Sequence, residues 1–132
     1  MRRKIPARIV TRYARMWPRR ILKLKDKAGL AEVEKALSGK GVYILYWDDQ
    51  PYYVGQTSLQ TLFKRIRSHA TKARNKYYNF WNFFSAFELG DVNLVKEVEA
   101  ILIASVPSEN RAVPRMKPIP IPSGAAEKFD EL

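Results

Sequence analysis

The sequence GVYILYWDDQPYYVG spans residues 41–55 and carries the clearest structural signal in the chain. Two runs rich in aromatic and β-branched residues flank a polar break at residues 48–50, a pattern typical of two strands joined by a short hairpin. Because side chains alternate along a strand, Tyr43, Leu45 and Trp47 should share one face. A glycine begins the first strand and another ends the second, where backbone must turn tightly or approach another group closely. These residues predict a β-hairpin.

The sequence on both sides of the hairpin predicts helices and a further strand. After the hairpin, apolar residues at helical spacing predict an amphipathic helix that begins near Leu59 and is capped by Thr57 or Ser58. Residues 79–89 are dense in aromatic side chains and predict a central strand, and residues 91–106 predict another helix. The expected fold is α/β, or α+β in finer terms. It is a small, mainly antiparallel three-stranded sheet flanked by helices, with strands at about 41–47, 51–56 and 82–89.

Composition excludes several classes of site. The chain has 132 residues, enough for one domain with a core of ordinary size. It has no cysteine and one histidine, which excludes thiolate metal sites, a cysteine nucleophile and a multi-histidine zinc site. No apolar run has the length of a signal peptide's core or of a membrane span. We therefore expect a cytoplasmic, intracellular protein that has no membrane partner.

The net charge of +11 is concentrated in the first 40 residues, which hold thirteen Lys and Arg against three acidic residues. Such an excess suggests a polyanionic partner, nucleic acid first and an anionic membrane second, although a solvated basic tail is the simpler interpretation. Residues 1–39 are expected to form a basic arm, with two turns of helix at residues 9–16 that end close to Pro18. The arm's apolar residues could equally cover the core. The candidate nucleic-acid-binding residues are Arg12, Arg15, Arg19, Arg20, Lys64, Arg67, Lys72, Arg74 and Lys76.

Three polar residues outside the hairpin have positions that indicate chemistry. Arg65 and His69 are four residues apart, so they lie on one face of the predicted helix, one turn from each other. Glu99 lies in the apolar sector of its helix, whereas Glu97 lies on the polar side. A carboxylate in an apolar sector is costly unless it is paired, hydrogen-bonded or bound to a cation. Taken singly, His69 would be a surface residue and the strand tyrosines core residues.

Together these features resemble the GIY-YIG nuclease family over about residues 40–112. Residues 41–43 match its Gly-x-Tyr strand and residues 53–55 its Tyr-x-Gly strand, with Val in place of Ile at positions 42 and 54. The remaining matching residues are Arg65, His69, Glu99 within EAILI, and Asn110. The resemblance divides the chain into the basic arm at 1–39, a nuclease-like domain at 40–112 and a Pro-rich tail at 113–132.

The resemblance implies a metal-dependent DNA endonuclease that hydrolyses phosphodiester bonds with water as the nucleophile. Glu99 would bind one Mg²⁺ or Mn²⁺, since hard oxygen donors suit those ions. Tyr43 would be the general base, its pKa lowered by Arg65 and the ion, and Tyr53 would orient Tyr43, water or phosphate. The other roles implied are phosphate contact for Arg65, proton transfer or phosphate binding for His69, and fixing of Glu99 or a loop for Asn110.

Specificity and biological role stay open at this point. The length left outside the domain is too short for a separate recognition domain, so a homodimer or a specificity-providing partner protein is expected. A nucleic-acid-binding module that has lost catalysis is the alternative function. The sequence does not separate DNA from RNA, nor a repair or recombination enzyme from a restriction-like or mobile-element enzyme.

Overall fold

A computed structural model describes residues 8–72, 80–107 and 116–126. Its strands are β1 (Val10–Pro18), β2 (Gly41–Trp47), β3 (Gln50–Thr57) and β4 (Phe83–Leu89). Its α-helices are α1 (Lys27–Ala36), α2 (Leu62–Thr71), α3 (Val95–Ser105) and the short α4 (Ser123–Ala126). Two 3-10 helices, Arg19–Lys23 and Val92–Leu94, lead from β1 towards α1 and into α3. Among the residues described, no helix is long and apolar enough to cross a membrane.

The strands form one antiparallel sheet in the order β1-β4-β2-β3. The predicted hairpin is confirmed: β2 pairs with β3, and Tyr43 lies opposite Gly55. Gly41 lets β2 approach β4 closely, because a Cβ at this position would overlap the backbone carbonyl of Phe87. The α+β prediction with a helix-flanked antiparallel sheet is therefore confirmed, but the sheet has four strands and not three.

The fourth strand comes from the basic arm. The prediction of two helical turns at residues 9–16 is wrong, because residues from Val10 onward form β1 and pair with β4. Ala14 is buried in the core, and the Trp17 ring packs edge-on against Phe84 with centroids 6.1 Å apart. Met16 has φ 53, and its N–H donates to the Ser85 hydroxyl where the strand register shifts. Pairing with an otherwise open edge of β4 thus overrides a weak local helical pattern.

The sheet is covered on both faces. One face buries Tyr43, Leu45 and Phe84 in the larger core cluster, together with Ile66 of α2. The other buries the smaller cluster that includes Val42 and Val95 of α3. The two flanking helices α2 and α3 therefore hold their side chains against opposite faces of the β2–β3 hairpin.

Helix α2 begins later than expected. Its N-cap is Thr61, whose side chain accepts a hydrogen bond from the Lys64 N–H, and not Thr57 or Ser58. Thr57 ends β3, and its hydroxyl bonds both the N–H and the carbonyl of Gln60. The turn formed in this way leaves Leu59 90% exposed, so Leu59 is no part of the buried stripe. The residues that were expected to start the helix therefore form this turn.

Candidate active site

Tyr43 and His69 form a buried hydrogen-bonded pair at the centre of the molecule. Tyr43 lies in the middle of β2 and is 0% exposed, and His69 lies in the last turn of α2 and is 2% exposed. The Tyr43 hydroxyl oxygen is 2.8 Å from His69 Nε2. The ring centroids are 5.6 Å apart. A phenol and an imidazole at this distance can exchange a proton directly.

Gly55 makes room for this pair. It faces Tyr43 across the β2–β3 ladder. A Cβ built on Gly55 would overlap the Tyr43 ring and its hydroxyl oxygen, so only glycine lets the phenol lie over β3. The glycine that ends the Tyr-x-Gly strand is therefore part of the site through its missing side chain.

Tyr53 completes a cluster of three rings. Its centroid lies 6.2 Å from that of Tyr43 and 5.6 Å from that of His69. Tyr53 is half-buried, so unlike the other two rings it is partly exposed to solvent. Tyr52, one residue earlier, instead packs at a tilt against Phe80, with ring centroids 5.9 Å apart. The structure thus brings Tyr53, and not Tyr52, to the pair.

Arg65 and Glu99 act electrostatically on the same phenol. Burial is the largest effect and raises the pKa of Tyr43, and the neighbouring Tyr53 and the Glu99 charge raise it further. Arg65 opposes this through its charge and a side-chain hydrogen bond to Tyr43. Arg65 and a bound ion were expected to lower this pKa. In the protein without an ion the pKa is raised, because the effect of desolvation is larger than the effect of Arg65. Tyr43 is therefore a neutral phenol at neutral pH.

Among the described residues, Glu99 is the carboxylate whose charge acts on Tyr43. Glu99 is half-buried on α3, which packs against β2 and β3. The described residues contain no group of three or more His, Cys, Asp or Glu side chains that could hold a metal. Mg²⁺ fits such a site, since it commonly binds through one or two carboxylates and keeps several waters or substrate phosphates. Within the described part of the chain, the half-buried Glu99 is the carboxylate that could serve as a ligand here.

The candidate nucleic-acid-binding residues lie in different places. Lys64, Arg67 and Lys72 line an open groove of about 500 Å³ along α2, together with Arg65. Arg15 and Arg20 are exposed on β1 and the 3-10 helix that follows it. Arg74, Lys76 and Asn110 lie outside the described residues, so their predicted roles stay predictions.

Two arginines of the basic arm have partners within the fold. Arg12 forms an ion pair with Glu88 and donates to the Ala36 carbonyl. Arg19 donates to the carbonyls of Trp81 and Ala70 at 3.2 and 3.1 Å, and its guanidinium lies 4.9 Å from the Trp81 ring centroid. Ala70 follows His69, so Arg19 fixes the end of α2 that carries the histidine. The sequence around Arg19, a run of basic residues, does not indicate this structural role.

A comparison with protein-family models matches residues 39–112 to the GIY-YIG catalytic domain. The match covers more than half of the chain and confirms the resemblance based on the hairpin, Arg65, His69 and Glu99. Neither the curated proteins nor the solved structures contain a significant match to the chain.

Proposed function

Because the chain belongs to the GIY-YIG family of nuclease catalytic domains, we propose that it is a metal-dependent DNA endonuclease. It hydrolyses phosphodiester bonds with water as the nucleophile. The observation that supports this most strongly is the buried Tyr43–His69 pair, with the Tyr43 hydroxyl 2.8 Å from Nε2. Arg65 and Glu99 act on the same phenol. DNA is the proposed substrate and the cytoplasm the proposed compartment.

The pair explains how a phenol with a raised pKa can serve as a base. A phenol has an ordinary pKa of about 10 and an imidazole of about 6.5, so a phenolate is scarce at neutral pH and a neutral imidazole is not. We assign Nε2 of His69 as the proton acceptor. As Tyr43 takes a proton from the attacking water, it passes its own proton to His69. The proton lost by water therefore ends on the imidazole, and no free phenolate is needed.

Arg65, and a metal ion held by Glu99, would stabilise the negative charge of the phosphate. The planar guanidinium of Arg65 contacts the phosphate that is cut, and Tyr53 orients the water or a phosphate oxygen. Glu99 would hold one Mg²⁺ or Mn²⁺. When bound, the ion supplies Lewis-acid stabilisation of charge that develops on the phosphate. Asn110 stays a predicted positioning residue, and a homodimer or partner protein the proposed source of specificity.

Cleavage of DNA by matched variants tests this function. Supercoiled plasmid and branched DNA are incubated with wild type, Glu99→Ala and Glu97→Ala, in Mn²⁺ and in EDTA. Wild type should cut in Mn²⁺ only, and Glu99→Ala should lose at least about 100-fold in rate. Glu97 is exposed on the same helix, so Glu97→Ala should cut like wild type. Binding in EDTA without cleavage in any metal would overturn the proposal in favour of a silent binding module.

A further inference from the structure

An open groove runs from the candidate site along the exposed side of α2. Its volume is about 500 Å³. The described residues that line it include no acid and four cations: Lys64, Arg65, Arg67 and Lys72. A concave surface with charge of one sign concentrates counter-ions of the opposite sign. The groove is therefore suited to a polyanion.

The groove is continuous with the catalytic residues. Arg65, which is hydrogen-bonded to Tyr43, lines it. Arg65 and Gln60 also line a second hollow of about 300 Å³ at the end of β3. Lys72 is the C-cap of α2 and follows Arg65 by seven residues, so the two lie about two helical turns, or roughly 10 Å, apart along the helix axis.

The cations of the groove are not equivalent. Lys64 and Lys72 are exposed. Arg67, by contrast, donates through Nε to the Leu22 carbonyl at 3.2 Å and lies over the Phe63 ring. Its guanidinium thus ties α2 to the segment before α1. The two lysines are therefore the exposed charges of the groove that are accessible to a ligand.

We propose that this groove holds the substrate strand on one side of the bond that is cut. The inference rests on the proposed function, with the reacting phosphate at Arg65. The strand then follows α2 towards Lys72, and Lys64 and Lys72 contact its phosphates. DNA carries one phosphate per 3.4 Å of each strand along the helix axis, so about three phosphates fit the distance from Arg65 to Lys72.

The salt dependence of binding tests the two lysine contacts. Binding of a short duplex is measured in EDTA, where cleavage plays no part, with the double variant Lys64→Ala/Lys72→Ala. Its control, Lys27→Ala/Lys35→Ala, removes two exposed lysines of α1. The slope of log K against log salt should fall by about 0.9 for each lost phosphate contact, close to two in all. The control should keep the wild-type slope, and an unchanged slope in the groove variant would overturn the proposal.

Uncharged phosphate analogues test on which side of the cut the strand lies in the groove. Methylphosphonates are placed one at a time on either side of the cut, and binding and cleavage by wild type are measured. Interference should span two or three positions on one side and disappear in the groove variant. Equal interference on both sides would overturn the groove as the strand path. A wild type that shows the expected binding slope but never cuts would instead refute the proposed nuclease and leave the phosphate contacts of Lys64 and Lys72 standing.

Discussion

Substitution of Gly55 by alanine tests whether the glycine of the Tyr-x-Gly strand is required for the position of Tyr43. The new methyl group would overlap three atoms of the Tyr43 side chain, including the hydroxyl oxygen. Tyr43 is fully buried, so its ring has no free space to enter. Overpacking of this kind costs about 1–3 kcal/mol, and relief of glycine's extra backbone entropy returns roughly 0.5–1. We therefore expect a net loss of up to about 2.5 kcal/mol in the free energy of unfolding.

The same substitution should reduce catalysis more than stability. The methyl group pushes the phenol away from β3 and disturbs the 2.8 Å contact with His69 Nε2. A displacement of about 1 Å between reacting groups can cost roughly 100-fold in rate. Gly55→Ala should therefore cut DNA about 100 times more slowly at a temperature where it is fully folded.

Urea unfolding and single-turnover cleavage measure the two effects separately. Gly124→Ala is the matched control, because a Cβ at Gly124 meets no atom within 4 Å. The control should keep the wild-type rate and be as stable as wild type or up to about 1 kcal/mol more stable, because alanine loses less backbone entropy on folding than glycine. A Gly55→Ala protein that is as stable and as active as wild type would refute the idea that close contact with β3 holds Tyr43.

Three further predictions follow from the same structure. Burial raises the pKa of Tyr43, so its stabilising contribution is complete below the unfolded pKa of about 10 and is lost as pH rises further. Urea unfolding between pH 9 and 11 should show a steeper loss of stability for wild type than for Tyr43→Phe, and parallel curves would contradict this. Arg19→Ala removes two part-buried hydrogen bonds and a ring contact, so it should lower the free energy of unfolding by about 2–3 kcal/mol in thermal or urea unfolding. Arg20 is exposed, so Arg20→Ala should change this free energy by no more than about 0.5 kcal/mol. Removal of divalent ions with EDTA should stop cleavage without abolishing DNA binding, and Mn²⁺ should restore it; cleavage that continues in EDTA would exclude a metal-dependent reaction.

The hairpin and the polar residues around it could be predicted because their signals are local. Alternating aromatic and β-branched residues predict β2 and β3, and helical spacing places Arg65 and His69 on one face. The apolar neighbours of Glu99 mark it as an unusual carboxylate within its own helix. Each of these patterns requires only a few consecutive residues.

The features that could not be predicted depend on distant parts of the chain. Strand β1 pairs with β4, whose residues lie some seventy positions later, while its own apolar residues have helical spacing. The start of α2 depends on a turn in which Thr57 bonds Gln60. The pKa of Tyr43 is raised because burial by several elements of the fold has a larger effect on it than the neighbouring Arg65. The role of Arg19 likewise needs the carbonyls of Trp81 and Ala70.

The most direct test of the account is the single-turnover cleavage rate of Tyr43→Phe in saturating Mn²⁺. Tyr46→Phe is the control, since Tyr46 lies on the same strand but its side chain is on the opposite face. Loss of a general base typically costs 10²–10⁴-fold. The cleavage rate of Tyr43→Phe should be lower than that of wild type by a factor in this range, while its affinity for DNA stays at the wild-type level. Tyr46→Phe should cut at the wild-type rate. Cleavage by Tyr43→Phe within a few-fold of wild type would contradict the assignment of the Tyr43–His69 pair as the proton-transfer centre.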